Sequence, residues 1–253
     1  MQIAVTGADG TVGKQAVSAL EGTDHSVTPL THSESEELNS EIVDVTESEE
    51  LSAALSGHDV VVHLAANPSP EADWEEVREV NVDGTYNVFE AAVENDLDRV
   101  VFSSSNHVAH MENAADPAEP ESMIETPTVV DPDDPPRPDS FYGVSKVAGE
   151  ALGSYYADRH GLDVVSLRIG WLLDEEDLGE TQEEGDEHAR FARAMWLSPR
   201  DCRNAIETAV ATKLPENPLT ANVISANDER YLSLTQTLRI GYRPQDNATE
   251  TLS

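Results

Sequence analysis

The sequence contains little cysteine and no long apolar run. Its 253 residues include one cysteine, Cys202, so neither an intrachain disulfide bond nor a metal cluster of several thiolates can form. No stretch approaches the ~18 consecutive apolar residues of a membrane span. The chain begins with an apolar strand rather than with the basic segment and apolar core of a secretory signal, so we expect a cytoplasmic protein.

Positive charge is also scarce. Lysine and arginine together number 15 against 50 aspartates and glutamates, which gives a formal net charge of −35. This charge repels phosphate backbones and anionic headgroups, so we expect no nucleic-acid partner and no membrane partner. The hydrophobic fraction of 38% still permits a core. An acidic excess spread over the whole chain is typical of adaptation to high salt, where counter-ions screen the repulsion.

Short apolar runs alternate with segments of helical periodicity, which predicts consecutive βα units and a parallel sheet covered on both faces. The predicted fold class is α/β, a Rossmann-like doubly wound parallel sheet in one domain over 1–253, with a short C-terminal substrate cap. Strands are predicted at 2–6, 25–31, 41–45, 59–64, 98–103, 163–169 and 221–226. Helices are predicted at 12–21, 48–56, 74–95, 140–160, 201–212 and 231–240.

Two stretches interrupt this alternation. Residues 107–139 hold seven of the fourteen prolines, which predicts an ordered or semi-ordered loop. Residues 174–188 carry nine acidic side chains in fifteen, which predicts a mobile, solvated loop. We expect the substrate cap to come mainly from 107–139 and 170–253.

A glycine-rich turn joins the first strand to the first helix. Gly7, Gly10 and Gly13 are spaced three residues apart, as required for a tight turn, close approach to a pyrophosphate and close packing of helix on strand. The helix N-terminus would face the phosphates with its partial positive charge. The turn therefore predicts a dinucleotide site.

The choice between NAD and NADP is open. The second strand ends at Thr31 and His32, where an acidic residue would bind the ribose of NAD, and no arginine follows to bind the 2′-phosphate of NADP. Lys14 could bind that phosphate or could simply be a solvated helix residue. Asp44 could accept from the adenine amino group or could be one more exposed acid.

Tyr142 and Lys146 are four residues apart on a predicted helix and therefore share one face. A tyrosine with a pKa near 10 is a poor base at neutral pH. A nearby ammonium and a positive nicotinamide ring would favour the phenolate and lower that pKa. We predict that this pair is catalytic.

A run of serines ends the fifth predicted strand and is followed by Asn106 and His107. The carboxyl ends of parallel strands face the ligand crevice of an open sheet. Ser105 is the predicted substrate-facing hydroxyl. Arg168, at the end of the next strand, is predicted to contact substrate, although an arginine there could instead pair with a carboxylate.

Together these residues resemble an extended short-chain dehydrogenase/reductase of the epimerase/dehydratase superfamily. The resemblance covers essentially the whole chain and rests on Thr6–Gly13, His63–Ala66, Asn81–Thr85, Phe102–Ser105 and Tyr142–Lys146. A closer resemblance, to uronate dehydrogenases and haloarchaeal sugar dehydrogenases, rests on Ser104–His107, Arg137–Lys146, Arg168–Gly170, Met195–Ser198 and Ala226–Asp228. The resemblance favours NAD, but the family's usual acid after the second strand is missing at Thr31, which leaves NAD or NADP open.

The resemblance implies catalysis by Ser105, Tyr142 and Lys146. The predicted cofactor contacts are Gly7, Asp9, Gly10, Thr11, Val12, Gly13, Thr31, Asp44, Val45, Leu64, Ala65, Ala66, Asn81, Ser103, Tyr142, Lys146 and Ile169. The predicted substrate contacts are Ser69, Ser105, Asn106, His107, Tyr142 and Arg168. A homodimer through the helices at 74–95 and 140–160 is expected.

The expected reaction is NAD(P)-dependent oxidation of a sugar or sugar acid, with C1 of an aldose or uronate becoming a lactone. One alternative is a nucleotide-sugar epimerase or dehydratase, for which the 84 residues after Ile169 leave little room. Another is a non-catalytic dinucleotide-binding regulatory protein, although such relatives often lack the tyrosine or the lysine. His107 and His110 have metal-like spacing, but no third ligand lies near them in sequence, so we expect no metal site.

Overall fold

The computed structural model describes residues 1–119 and 121–253, and its centre is a seven-stranded parallel sheet. The strand order is β3-β2-β1-β4-β5-β6-β9, the arrangement of a doubly wound dinucleotide-binding fold with one added edge strand. This confirms the predicted fold class. The sheet strands are β1 (Gln2–Thr6), β2 (Ser26–Thr31), β3 (Glu41–Ile42), β4 (Val60–His63), β5 (Arg99–Ser105), β6 (Asp163–Ile169) and β9 (Leu219–Val223). A separate pair consists of β7 (Trp171–Leu172) and β8 (Trp196–Leu197).

Helices cover both faces of the sheet. They are α1 (Thr11–Glu21), α2 (Ser48–Leu55), α3 (Trp74–Val77), α4 (Gly84–Glu94), α5 (Phe141–His160), α6 (Glu175–Thr181), α7 (Asp186–Met195), α8 (Pro199–Ala211), α9 (Thr235–Arg239) and α10 (Ala248–Thr251). A six-residue π-helical segment, Arg78–Asp83, joins α3 to α4. None of the helices described has the length and apolarity needed to cross a membrane.

Alternate residues of each central strand enter two separate cores. In β4, for example, Val60 and Val62 pack on the side of α1 and α8, whereas Val61 packs on the side of α2, α4 and α5. All three valines are at most 2% exposed. This two-sided burial explains why the strand sequences are continuous apolar runs.

The third predicted strand, 41–45, is much shorter than expected. Ladder pairing covers only Glu41 and Ile42, because Asp44 turns the chain by accepting hydrogen bonds from the backbone N–H and hydroxyl of Thr46. This turn directs Asp44 towards the crevice above the sheet.

The acidic stretch 174–188 is helical, so the prediction of a solvated loop there was wrong. Asp174 caps α6 by accepting from the N–H of Asp177, and acidic residues in the first turn suit the positive end of a helix. Leu178 and Phe191 are both buried and anchor α6 and α7. The prediction relied on the high content of acidic residues and overlooked the few apolar positions that these helices bury.

The proline-rich segment 107–139 begins within a single turn of 3-10 helix, Asn106–Val108, contains a second, His110–Glu112, and is held by specific contacts. Asn113 exchanges hydrogen bonds with Thr128 across the segment. Arg190 of α7 donates to the carbonyl oxygens of Ile124 and Glu125. The segment and α7 therefore form one wall beside the carboxyl ends of β4 and β5.

Candidate active site

A cavity of about 630 Å³ lies over the carboxyl ends of β1, β4 and β5. The glycine turn forms its floor. Gly7 adopts φ +65°, and a Cβ there would lie 2.7 Å from the N of Ala65. A Cβ on Gly13 would lie 2.1 Å from the carbonyl oxygen of Gly7. Only glycine permits this close approach of α1 to the strands, and the α1 N-terminus then opens into the cavity.

Most of the predicted cofactor residues meet in this cavity. Those that line it are Gly7, Asp9, Gly10, Thr11, Val12, Gly13, Asp44, Val45, Leu64, Ala65, Ala66, Ser103, Tyr142 and Lys146. Residues that sequence reasoning missed also line it, namely His32, Val43, Thr46, Asn67, Pro68, Glu79 and Val80. Each lies within two residues of a predicted contact in the sequence, and this proximity was the only feature of the sequence that indicated them.

Three predicted cofactor residues are not among those that line the cavity. The hydroxyl of Thr31 donates to the carbonyl oxygen of Ser33 and also bonds Ser40, and the side chain is buried. Ile169 belongs to the core on the α1 side of the sheet. Thr31 therefore cannot discriminate the cofactors directly, and the neighbouring His32 occupies that edge of the cavity, 3.5 Å from Asp44.

Asn81, the third of these residues, does not line the cavity but hydrogen-bonds to Asn67, which does. Its side chain accepts from the N–H of Asn67 at 2.7 Å and donates to the hydroxyl of Ser145 at 3.0 Å. The residue is 1% exposed. It thus ties the segment after β4 to α5, the helix that carries Tyr142 and Lys146.

The N-terminal turn of α5 delivers Tyr142 and Lys146 to one place. Ser140 caps the helix by accepting from the N–H of Gly143 at 3.1 Å. Lys146 Nζ donates to the carbonyl oxygen of Ser103 at 2.7 Å and lies 5.5 Å from the centre of the Tyr142 ring. The predicted i, i+4 arrangement therefore forms, against the end of β5.

The electrostatics of this pair differ from the expectation. Burial raises the pKa of Tyr142, although a hydrogen bond with Ser105 acts in the opposite direction. Burial also lowers the pKa of Lys146 to about 7. The predicted lowering of the Tyr142 pKa, which invoked both the lysine and a positive nicotinamide ring, therefore does not occur in the protein alone, because the loss of hydration dominates.

A second cavity of about 630 Å³ is lined by two of the predicted substrate residues, Ser69 and His107. The His107 ring lies 5.4 Å from the Tyr142 ring, centre to centre. Ser105 and Asn106, which directly precede His107 in the chain, are buried, with 4% and 7% of their surface exposed. The wall also contains carboxylates that sequence reasoning missed, and these are Glu71, Glu119, Glu121, Asp139 and Glu187.

Arg168 is not among the residues that line either cavity, which corrects the prediction that it faces substrate. Its Nε and Nη2 donate to the two carboxylate oxygens of Glu150 at 2.8 and 2.9 Å, and its side chain is 4% exposed. Ser104 also donates to Glu150, at 2.5 Å. Glu150 lies four residues after Lys146 on α5, and that i, i+4 spacing was the available signal.

A further correction concerns His107 and His110. Asp139, far along the chain, places its Oδ2 at 2.7 Å from Nδ1 of His107 and at 3.2 Å from Nδ1 of His110. A third potential ligand is therefore present, contrary to the expectation. In the structure both imidazoles face the same carboxylate oxygen, and their Nδ1 atoms lie 3.2 Å apart.

Comparison with known proteins shows which family this chain resembles in sequence and fold. The model of the NAD dependent epimerase/dehydratase family matches residues 3–194. The chain is 58% identical to an L-arabinose 1-dehydrogenase (NAD(P)(+)) of Haloferax volcanii, over 98% of this chain and 97% of that protein. It is 37% identical to an NAD-dependent glucose-6-phosphate dehydrogenase of the same organism, over 83% and 76%.

Among solved structures, the crystal structure of uronate dehydrogenase from Agrobacterium tumefaciens is similar, with a TM-score of 0.79 and 27% identity over 98% of this chain and 86% of that chain. The predicted resemblance is confirmed, and the expected NAD(P)-dependent oxidation of a sugar agrees with the activities for which these relatives are named. The chain belongs to the NAD dependent epimerase/dehydratase family.

Proposed function

We propose that this protein is an NAD(P)-dependent dehydrogenase that oxidises the C1 hydroxyl of a free, uncharged aldose to the lactone. The observation that carries the proposal is the position of Tyr142, which lines the cavity floored by the glycine turn and lies 5.4 Å, ring centre to ring centre, from His107 in the wall of the second cavity. A dinucleotide and a small sugar would thus meet at one tyrosine. The 58% identity to an L-arabinose 1-dehydrogenase supports a pentose as the first substrate to test.

The chemistry follows from the groups beside Tyr142. The phenolate of Tyr142 accepts the proton of the C1 hydroxyl while the Ser105 hydroxyl holds the same oxygen by a hydrogen bond. Bound NAD(P)⁺ supplies the acceptor for the hydride that leaves C1. Since burial raises the pKa of Tyr142, the phenolate requires positive charge beside it, and Lys146 is the ammonium within reach.

The cofactor would lie along the glycine turn, with its pyrophosphate at the N-terminus of α1. Asp44, which lines the cavity beside His32, would then meet the adenosine half. A histidine at this edge neither repels a 2′-phosphate as a carboxylate would nor pairs with it as strongly as an arginine. We therefore propose that the protein uses both NAD and NADP.

The charges around the second cavity favour a neutral sugar over a uronate or a sugar phosphate. Among the described residues that line it, five are acidic and none is lysine or arginine. The guanidinium predicted to bind a substrate carboxylate lines neither cavity and pairs with Glu150 through Nε and Nη2, while its Nη1 is buried without a partner among the described residues. An anionic sugar would meet like charge without a compensating ion pair.

A homodimer is proposed on separate grounds. Large apolar side chains are exposed on the outer surface of α3, α4 and α5, where a second copy could bury them: Trp74, Tyr86, Phe141, Val144 and Tyr155. Sedimentation of the protein and of a Tyr155→Glu variant in molar KCl tests this. A monomeric wild type would contradict it.

The cytoplasmic location stays a prediction.

The activity is tested by steady-state kinetics in molar KCl with NAD⁺ and with NADP⁺. The substrates are paired neutral and anionic sugars, including L-arabinose, D-galactose, D-galacturonate and glucose 6-phosphate. We expect reduced cofactor and lactone from the neutral aldoses, with no turnover by Tyr142→Phe. Faster turnover of galacturonate than of galactose would overturn the neutral-sugar assignment. Cofactor binding without oxidation of any sugar would overturn the proposed activity.

A further inference from the structure

Asp139 lies at the junction between the proline-rich segment and α5, and its side chain is fully buried. Its Oδ1 accepts from the hydroxyl of Ser140, the residue that caps α5. Its Oδ2 lies 2.7 Å from Nδ1 of His107 and 3.2 Å from Nδ1 of His110. One carboxylate therefore joins two histidines to the helix turn that carries Tyr142.

The hydrogen-bond pattern assigns the protons of both imidazoles. Burial opposes ionisation of Asp139, but the hydrogen bonds from His107 and His110 outweigh it and hold the pKa of Asp139 well below its usual range. An ionised carboxylate can only accept, so each Nδ1 carries a proton that it donates to Oδ2. The two Nδ1 atoms, 3.2 Å apart, are then both donors and do not bond to each other. In a neutral His107 the remaining nitrogen, Nε2, is then an unprotonated acceptor.

His110 completes the arrangement from the other side. Its ring stacks on Phe191 with 4.6 Å between ring centres, and burial lowers its pKa, so it is neutral. Its Nε2 is buried without a hydrogen-bond partner among the described residues. His110 thus gives a second N–H to Asp139 without bringing a second positive charge, and it fills the space behind the carboxylate.

We propose that Asp139 is a positioning residue that fixes His107 as the Nδ1–H tautomer, so that its Nε2 accepts a hydrogen bond from a sugar hydroxyl next to the reacting carbon. His107 lines the substrate cavity and contacts the edge of the Tyr142 ring. Because Asp139 also binds Ser140, the distance between this acceptor and Tyr142 is set by one side chain. The sugar-binding part rests on the proposed function, whereas the tautomer does not.

The tautomer can be read directly in the wild-type protein. Long-range ¹H–¹⁵N NMR distinguishes a protonated ring nitrogen from an unprotonated one, and a His107→Gln variant assigns the signals. We expect His107 to show a protonated Nδ1 and an unprotonated Nε2 at neutral pH, with the Nε2 signal moving when L-arabinose is added. A protonated Nε2 with an unprotonated Nδ1 in the wild type would overturn the proposal without any variant having to fold.

Kinetics supply the second test. Asp139→Asn replaces the charged acceptor with an amide that also donates, so the preference for Nδ1–H is lost. We expect the KM for the sugar to rise about tenfold, the scale of one lost hydrogen bond, while the Kd for NAD(P) stays within about twofold. The matched control is Asp134→Asn, an exposed acid of the same segment that accepts from the N–H of Asp131.

The outcomes separate the two proposals. An unchanged KM in Asp139→Asn, or an equal rise in Asp134→Asn, would overturn the positioning role. If no aldose is oxidised but the NMR signals show the Nδ1–H tautomer, the proposed function fails and the role of Asp139 in fixing His107 stands. Restored KM in Asp139→Glu, with its reach adjusted by one methylene, would support a requirement for a charged acceptor over simple packing.

Discussion

His63 is expected to make the protein less stable in acid, because its imidazole must stay neutral in the folded state. Its Nδ1 lies 2.8 Å from the hydroxyl oxygen of Thr6, and its Nε2 lies 3.1 Å from that of Thr85. Thr85 donates its own proton to the carbonyl oxygen of Asn81, so it accepts from Nε2–H, and Nδ1 must accept from Thr6. A second proton on the ring would face the Thr6 hydroxyl.

The structure gives the size of the effect. Burial, with a smaller contribution from Lys146, lowers the pKa of His63 from 6.5 to about 3. Above pH 6.5 neither the folded nor the unfolded chain protonates this ring, so it contributes no pH dependence there. Below pH 6.5 only the unfolded chain binds the proton, so the free energy of unfolding falls as the pH falls towards 3. At a pH of about 5 the loss is roughly 2 kcal/mol.

The measurement is denaturant unfolding in molar KCl at neutral pH and near pH 5, for the wild type and for His63→Asn. The substitution breaks the bond to Thr85 at both pH values, so its constant cost cancels in the difference. We expect the wild type to lose about 2 kcal/mol more on acidification than the variant. A His25→Asn variant, with the change just before β2, is the control and should follow the wild type. Identical acid losses in wild type and His63→Asn would refute the reasoning.

Four further outcomes are expected. Tyr142→Phe should abolish turnover and leave the Kd for cofactor nearly unchanged by fluorescence titration, whereas Lys146→Ala should impair both, and activity in the phenylalanine variant would contradict the mechanism. His32→Asp should shift the ratio of kcat/KM values towards NAD over NADP, because a carboxylate at this edge repels a 2′-phosphate. An unchanged ratio would mean that His32 does not meet the ribose. Arg168→Ala should lower the free energy of unfolding by about 3–5 kcal/mol because it leaves the Glu150 carboxylate without its partner, and a loss below about 1 kcal/mol would argue against a buried ion pair. Circular dichroism melts should show lower stability in millimolar than in molar KCl, since a net charge of −35 needs screening, and superimposable melts would contradict adaptation to salt.

Local patterns sufficed for much of the fold. The spacing of Gly7, Gly10 and Gly13 requires backbone contacts that no other residue permits, and the continuous apolar strands require a sheet buried on both faces. The placement of Tyr142 and Lys146 on one face of a helix followed from helical periodicity alone. These features depend on residues near one another in sequence, so the sequence by itself determined them.

Tertiary structure decided which polar groups meet. Arg168 has the chemistry to bind a carboxylate, and the carboxylate that it meets in the fold is that of Glu150 on another element. Asp139 joins His107 and His110 because the chain returns after about thirty residues, a distance that spacing rules do not cover. The helices within the acidic stretch likewise depend on a surface that buries Leu178. A charged side chain is free to pair with whatever the fold brings within hydrogen-bond range, and local sequence does not contain that information.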